Sequence, residues 1–240
     1  MNPHLTAACI LALGTVLTPS WAGAETVAKT VLKTPTANAT ANAAVQAKTG
    51  NAGAAVATAA VVGVQLKGHS YPKTIQLDGN TLQLNGAGVR YKIIVPVYTA
   101  ALYTEKPVKS EAEFFAAPGS KRLIITMLRK VDSNELGYMF AKSMKVNIDP
   151  KDMVTALPGL ARMGQVFADA KAVNPGDTII MDWMGKGKNT VIAIRNQVQG
   201  EPFADAAFHR ALMGVWLGKN AADAQLKKAL LDNSAQKTAF

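Results

Sequence analysis

Two amphipathic helices stand back to back in the middle of this chain, with strand-like sequence on both sides of the pair. Leu136, Met139, Phe140 and Met144 share one stripe, with Ser133 placed as the cap. Met153, Leu157, Leu160, Met163, Phe167 and Ala170 keep the three/four spacing of the second helix. Ahead of them, residues 122–128 form a nearly continuous apolar run, the mark of a strand covered on both faces. Behind them, Asn174-Pro175-Gly176-Asp177 is a turn. Residues 178–183 and 190–195 then predict a hairpin around Gly185-Lys186-Gly187-Lys188-Asn189. Paired helices between strands break βαβ alternation. The expected class is therefore α+β with an antiparallel sheet.

The remaining elements fit that class. Residues 74–77 and 82–84 read as short strands around Asp78-Gly79-Asn80, after which Gly86-Ala87-Gly88 is expected to break the chain. Residues 89–103 are rich in β-branched and aromatic side chains, long enough for one bent strand or two, with Pro96 marking an edge, bulge or bend. Ser110-Glu111-Ala112-Glu113 is a capping box for a short helix that Pro118-Gly119 ends. A helix over 203–217 with Gly218 as its stop, then a last helix over 222–231, close the domain.

The domain occupies 65–232. In front of it, residues 5–17 are apolar over a length that suits a signal peptide rather than a membrane span. Pro19 and Ala22-Gly23-Ala24 follow, so residues 1–24 are expected to be a signal peptide and the mature protein periplasmic, although no Lys or Arg precedes the apolar run. A retained hydrophobic anchor is the alternative. Residues 25–64 carry Ala, Thr, Asn, Val and Lys with no aromatic side chain. Too little apolar area is available there to offset chain entropy, so this segment is expected to be a flexible tether. Residues 233–240 are a polar tail.

The sole cysteine, Cys9, lies inside the expected signal peptide, which leaves the mature chain without thiol chemistry or disulfides. His69 and His209 stand far apart with no ligand spacing, so neither a metal nor another cofactor is expected. The net charge of +10 is spread over pairs such as Lys121-Arg122 and Arg129-Lys130, with no nucleic-acid recognition motif. Peripheral contact with anionic membrane surfaces, or acidic ligands, is the expected use of the excess, and no nucleic-acid partner is expected.

Three stretches together resemble the chalcone-isomerase-like proteins of bacteria. They are Leu84-Asn85-Gly86-Ala87-Gly88-Val89-Arg90 with Val97-Tyr98-Thr99-Ala100-Ala101-Leu102-Tyr103, then Pro175-Gly176-Asp177-Thr178-Ile179, and finally Ala211-Leu212-Met213-Gly214-Val215-Trp216-Leu217-Gly218 with Leu226-Lys227-Lys228-Ala229-Leu230-Leu231. The resemblance implies an open-faced β-sandwich, a large antiparallel sheet packed by helices. It also implies that Arg90 is the active-site arginine, that Tyr98 stands where the family has a threonine, and that Tyr138 is nearest the family's site tyrosine. Met144 or Lys145 replaces an asparagine, and Val215 replaces a threonine.

Three functions stay open. Proteins of this fold that bind fatty acids hold the carboxylate by an arginine and a tyrosine, which implies a small amphipathic or phenolic ligand at Arg90, Tyr98 and Tyr138. The plant enzymes of the family close a ring on a chalcone enone, which implies an intramolecular lyase using the same three residues. A non-catalytic envelope protein with a filled pocket is the third.

Overall fold

The computed structural model describes residues 63–233. The expected signal peptide with Cys9, nearly all of the expected tether, and the tail from Ser234 lie outside the described residues.

A small hairpin, β1 (Val64–Leu66) with β2 (His69–Tyr71), opens the structure. A seven-stranded antiparallel sheet follows, built from β3 (Thr74–Leu77), β4 (Asn80–Lys92), β5 (Val95–Thr104), β6 (Lys121–Met127), β9 (Thr178–Met184), β10 (Asn189–Ile194) and β11 (Gln197–Val198). Their order across the sheet is β11-β10-β9-β6-β5-β4-β3. A two-stranded pair, β7 (Val131–Asp132) with β8 (Ala172–Val173), clamps the two ends of the central helical excursion together.

Helix α1 (Glu111–Ala116) links β5 to β6, and the capping box forms with its return bond shifted one residue, to Lys109. Glu113 N–H donates to Ser110 Oγ at 3.1 Å, while the Glu113 carboxylate accepts from Lys109 N–H at 2.8 Å. Helices α2 (Ser133–Lys145) and α3 (Met153–Ala170) are the back-to-back pair, with α4 (Ala206–Leu217) and α5 (Ala224–Leu231) after the last strands. The large core lies between the sheet and α2, α3 and α4. It joins Leu102, Leu123, Ile125 and Met181 of the strands to Phe140, Phe167, Phe208 and Trp216 of the helices. The opposite face carries a smaller cluster around Tyr71, Leu82 and Tyr103, over which β1 and β2 fold. One heavily covered face and one lightly covered face make an open-faced sandwich.

The expected break at Gly86-Ala87-Gly88 does not occur, because β4 runs straight through it. The glycines serve helix packing: a Cβ on Gly86 would lie 2.2 Å from the Ala229 carbonyl oxygen of α5. A register shift between Leu84 and Gly86 turns Asn85 inward, where its amide donates to the carbonyls of Val108 and Leu230 and its oxygen accepts from Val108 N–H.

Other boundaries move by one cap. Asp132, not Ser133, caps α2, accepting from Asn134 N–H, and Ser133 is already helical and buried. Helix α4 begins after Asp205. Phe203 instead pairs with Thr190 as an isolated bridge and stacks on Phe208. On α3 the buried stripe includes Ala156 and Met163, while Leu157 is 50% exposed. Small residues explain the rotation, since Gly159 lets the Phe208 ring approach to 2.5 Å of where a Cβ would stand.

Candidate anion-binding site

The long β4–β5 hairpin sets Arg90 directly opposite Tyr98. Tyr98 belongs to the large core, so the pair faces the helices. Leu136, Met139, Phe140 and Ser143 of α2, Val215 and Trp216 of α4, and Ala222 complete a hollow around Arg90 and Tyr98.

Trp216 orients the tyrosine: its indole N–H donates to the Tyr98 hydroxyl at 2.8 Å, and its ring meets Phe140 edge-on at 5.4 Å. A buried indole N–H seeks an acceptor, and this one takes the phenol oxygen. The hydroxyl's own proton has no acceptor among the described residues and is free to donate. Burial pushes the Tyr98 phenol above its ordinary range, against the pull of the Arg90 guanidinium and the Trp216 hydrogen bond, so it remains a protonated donor.

Arg90 is held against Tyr98. Its guanidinium carbon lies 5.5 Å from the Tyr98 ring centroid, and its Nε is buried without a partner. Asp223 is the nearby carboxylate. Its oxygens are taken by Tyr91 N–H on one side and by Gln225 and Leu226 N–H at the start of α5 on the other. A buried guanidinium nitrogen and a tyrosine proton without acceptors, one opposite the other, are what a carboxylate or phenolate needs.

The hollow is small, about 30 Å³. That is room for a water-sized or carboxylate-sized group, and not for a hydrocarbon tail. Of the three site residues expected from sequence, Arg90 and Tyr98 meet there. Tyr138 does not: it lies on the outer side of α2, 68% exposed, while Leu136, Met139 and Phe140 turn inward. Trp216 is both 2% exposed and the group that fixes Tyr98. Val215 lines the hollow, and Met144 is buried core.

Residues 63–232 match the family model described as chalcone isomerase-like. The chain belongs to the chalcone isomerase-like family. Among solved structures, this family member is similar to a fatty-acid binding protein of Arabidopsis thaliana, with a TM-score of 0.57 and 16% sequence identity over 70% of this chain and 94% of that one. No curated protein matches its sequence. At that identity the likeness establishes a chalcone isomerase-like fold, with its large antiparallel sheet packed by helices.

A second hollow of this chalcone isomerase-like chain, about 270 Å³, opens at the far end of the sheet. Phe114, Phe115, Trp183 and His209 wall it, with Lys121 and Arg210 beside them. The buried Lys121 ammonium donates to the carbonyls of Ala117 (2.7 Å) and Gly119 (3.3 Å). His209 Nδ1 lies 3.0 Å from Thr190 Oγ1, and burial first, then the Lys121 and Arg210 charges, push its imidazole down to about 3.

Proposed function

We propose that this is an exported binding protein that holds a fatty acid or similar amphipathic anion by its head group, with Arg90 and Tyr98 as the two donors. The observation that carries the reading is the Arg90 Nε, buried and without a partner, opposite a tyrosine whose proton has no acceptor. The fatty-acid binding protein of similar fold supports the ligand class. Export to the periplasm rests on the apolar run 5–17 and the small residues Ala22-Gly23-Ala24.

The tail needs more room than the hollow has. The yielding wall is α2, whose Met139 is partly buried against the hollow and has an unbranched, adaptable side chain. Displacing it opens apolar surface continuous with Leu136 and Phe140.

Denaturing mass spectrometry of the purified protein tests this. A stoichiometric lipid is expected in the parent and none in Arg90→Ala. A parent that is empty and takes up no fatty acid refutes it and supports the second reading, a structural envelope protein, which the small hollow favours. Ring closure on a chalcone-like enone draws less support. Val215 and Met144 offer no hydrogen bond where the resemblance implies polar groups, and cyclisation above the spontaneous rate, lost in Arg90→Ala, would be needed to establish it.

A further inference from the structure

The β4–β5 hairpin ends in an apolar tip. Ile93 is 93% exposed, Ile94 83%, Val95 46% and Tyr91 43%. Single exposed apolar side chains are ordinary, but four within five residues at a protruding turn form a patch. The turn is also built against local preference. Lys92 pairs with Val95, so Ile93 and Ile94 are the two loop residues, and Ile93 has φ +61. Glycine is the usual occupant of such a position, and a β-branched side chain there is rare. Backbone strain retained to keep an isoleucine exposed points to a surface that the isoleucine meets.

The collar around this tip is basic. The Lys92 side chain is 64% exposed, and Lys67 Nζ lies 5.9 Å from the Tyr91 ring centroid. Leu128 N–H bonds the Val97 carbonyl at 3.0 Å, which brings the exposed Arg129 and Lys130 to the same end of the sheet. The acids at this end are engaged: Glu135 lies 4.0 Å from Lys92, and Asp223 accepts from Tyr91 N–H and caps α5.

We propose that the tip at residues 91–95 docks the protein on an anionic lipid surface, Ile93 and Ile94 entering the boundary between head groups and acyl chains while Lys67, Lys92, Arg129 and Lys130 lie against the head groups. The charge complementarity selects this occupant over a second copy of the chain, whose own collar would repel it. Docking also deepens the fatty-acid-binding reading and, for its ligand, rests on it. Arg90 stands three residues before Ile93, on the order of 10 Å along the strand. With the tip immersed, its hollow comes to head-group depth, where an amphipathic acid leaves the bilayer.

The test exploits the unfavourable turn. In the full-length chain, Ile93→Gly with Ile94→Ser supplies a preferred turn sequence, so urea melting is expected to show unchanged or raised stability. Sedimentation with vesicles of phosphatidylethanolamine and phosphatidylglycerol is expected to show binding weakened about tenfold or more. The N-terminal apolar run is common to both chains, so the difference reads the hairpin alone. Parent binding should also fall with added salt and be weak on phosphatidylcholine vesicles. A double variant that sediments like the parent overturns the proposal. So does a parent that self-associates without vesicles through a contact the double substitution abolishes. Arg90→Ala separates the two readings: lost lipid with unchanged docking supports both, whereas an empty parent that still docks leaves this proposal standing and removes the ligand.

Discussion

The two ends of the sheet present the same contact with opposite outcomes. At one end the Arg90 guanidinium carbon lies 5.5 Å from the centroid of Tyr98, and at the other the Lys121 ammonium lies 5.5 Å from that of Phe114. Lys121 spends its protons on two backbone carbonyls. One residue on, Arg122 makes a two-pronged bond to Asp182, both contacts at 2.6 Å. Arg90 has no such partner, although the hollow beside it is roughly a ninth of the volume of the one at the other end. Between these two hollows, cavity size and unpaired polarity therefore point to opposite ends of the sheet. A cation whose hydrogen bonds are complete is part of the fold, and one with a buried nitrogen unspent is the one the proposed anion would use.

The largest expected effect lies at the Lys121 end and concerns folding. His209 is 6% exposed and titrates near 3 when folded, against about 6.5 when unfolded. Between those values the unfolded chain binds the extra proton, so stability falls as pH falls. The slope approaches ~1.4 kcal/mol per pH unit, or about 3 kcal/mol from pH 7 to pH 4. Urea titrations across that range should show the loss, and His209→Gln should flatten it. If the profile stays steep in that variant, the acid sensitivity belongs elsewhere.

Next comes the Arg90 end, where the effect falls on binding. Arg90→Met should weaken fatty-acid affinity about a hundredfold, the scale of a charge-assisted bond in a dry site, and leave the midpoint of urea unfolding nearly unchanged. Lys121→Met should do the reverse. Stripping the Ala117 and Gly119 carbonyls of their donor is expected to cost about 1–2 kcal/mol of stability with affinity intact. A fluorescent fatty-acid displacement assay run beside denaturant titrations separates the pair. Equal effects of both substitutions on affinity would erase the contrast between the two ends.

The smallest effect sharpens the role of Trp216. Trp216→Phe keeps most of the ring and removes the donor to Tyr98, so a stability loss of about 1 kcal/mol and a few-fold weaker affinity are expected. Tyr98→Phe in that background should add little to the affinity loss if the indole acts through the hydroxyl, and a double-mutant cycle reads this directly.

Much of the fold was legible because its signals are local. The capping box at Ser110 and Glu113, the strand run before the helices, the hairpin after them and the Gly218 stop each depend on residues a few positions apart. The failures need distant partners. Gly86 and Gly88 read as a break because the helix that lies against them comes some 140 residues later. Leu157 follows a sound helical period, yet the face that packs carries the fully buried Ala156 and has Gly159 meeting Phe208. At the site, Arg90 and Tyr98 are reached through the family resemblance, and the two-strand form of residues 89–103 sets them opposite each other. Trp216 had a signal that sequence reading passed over, an indole that must find an acceptor if buried. Tyr138 shows the limit of carrying positions across by family likeness, because a single place along a helix is a turn of 100° about its axis.

Gly86 lets the backbone of α5 lie on β4, and Gly88 takes the Ala229 and Leu226 side chains, while Asp223 at the start of that helix accepts from Tyr91 N–H next to Arg90. The helix thus acts as a splint along the strand, secured at Asn85 and again one residue past the guanidinium. On the proposed reading, a strand splinted in this way would serve as the stationary jaw, and accommodation of a guest is expected from the facing helix and its methionine.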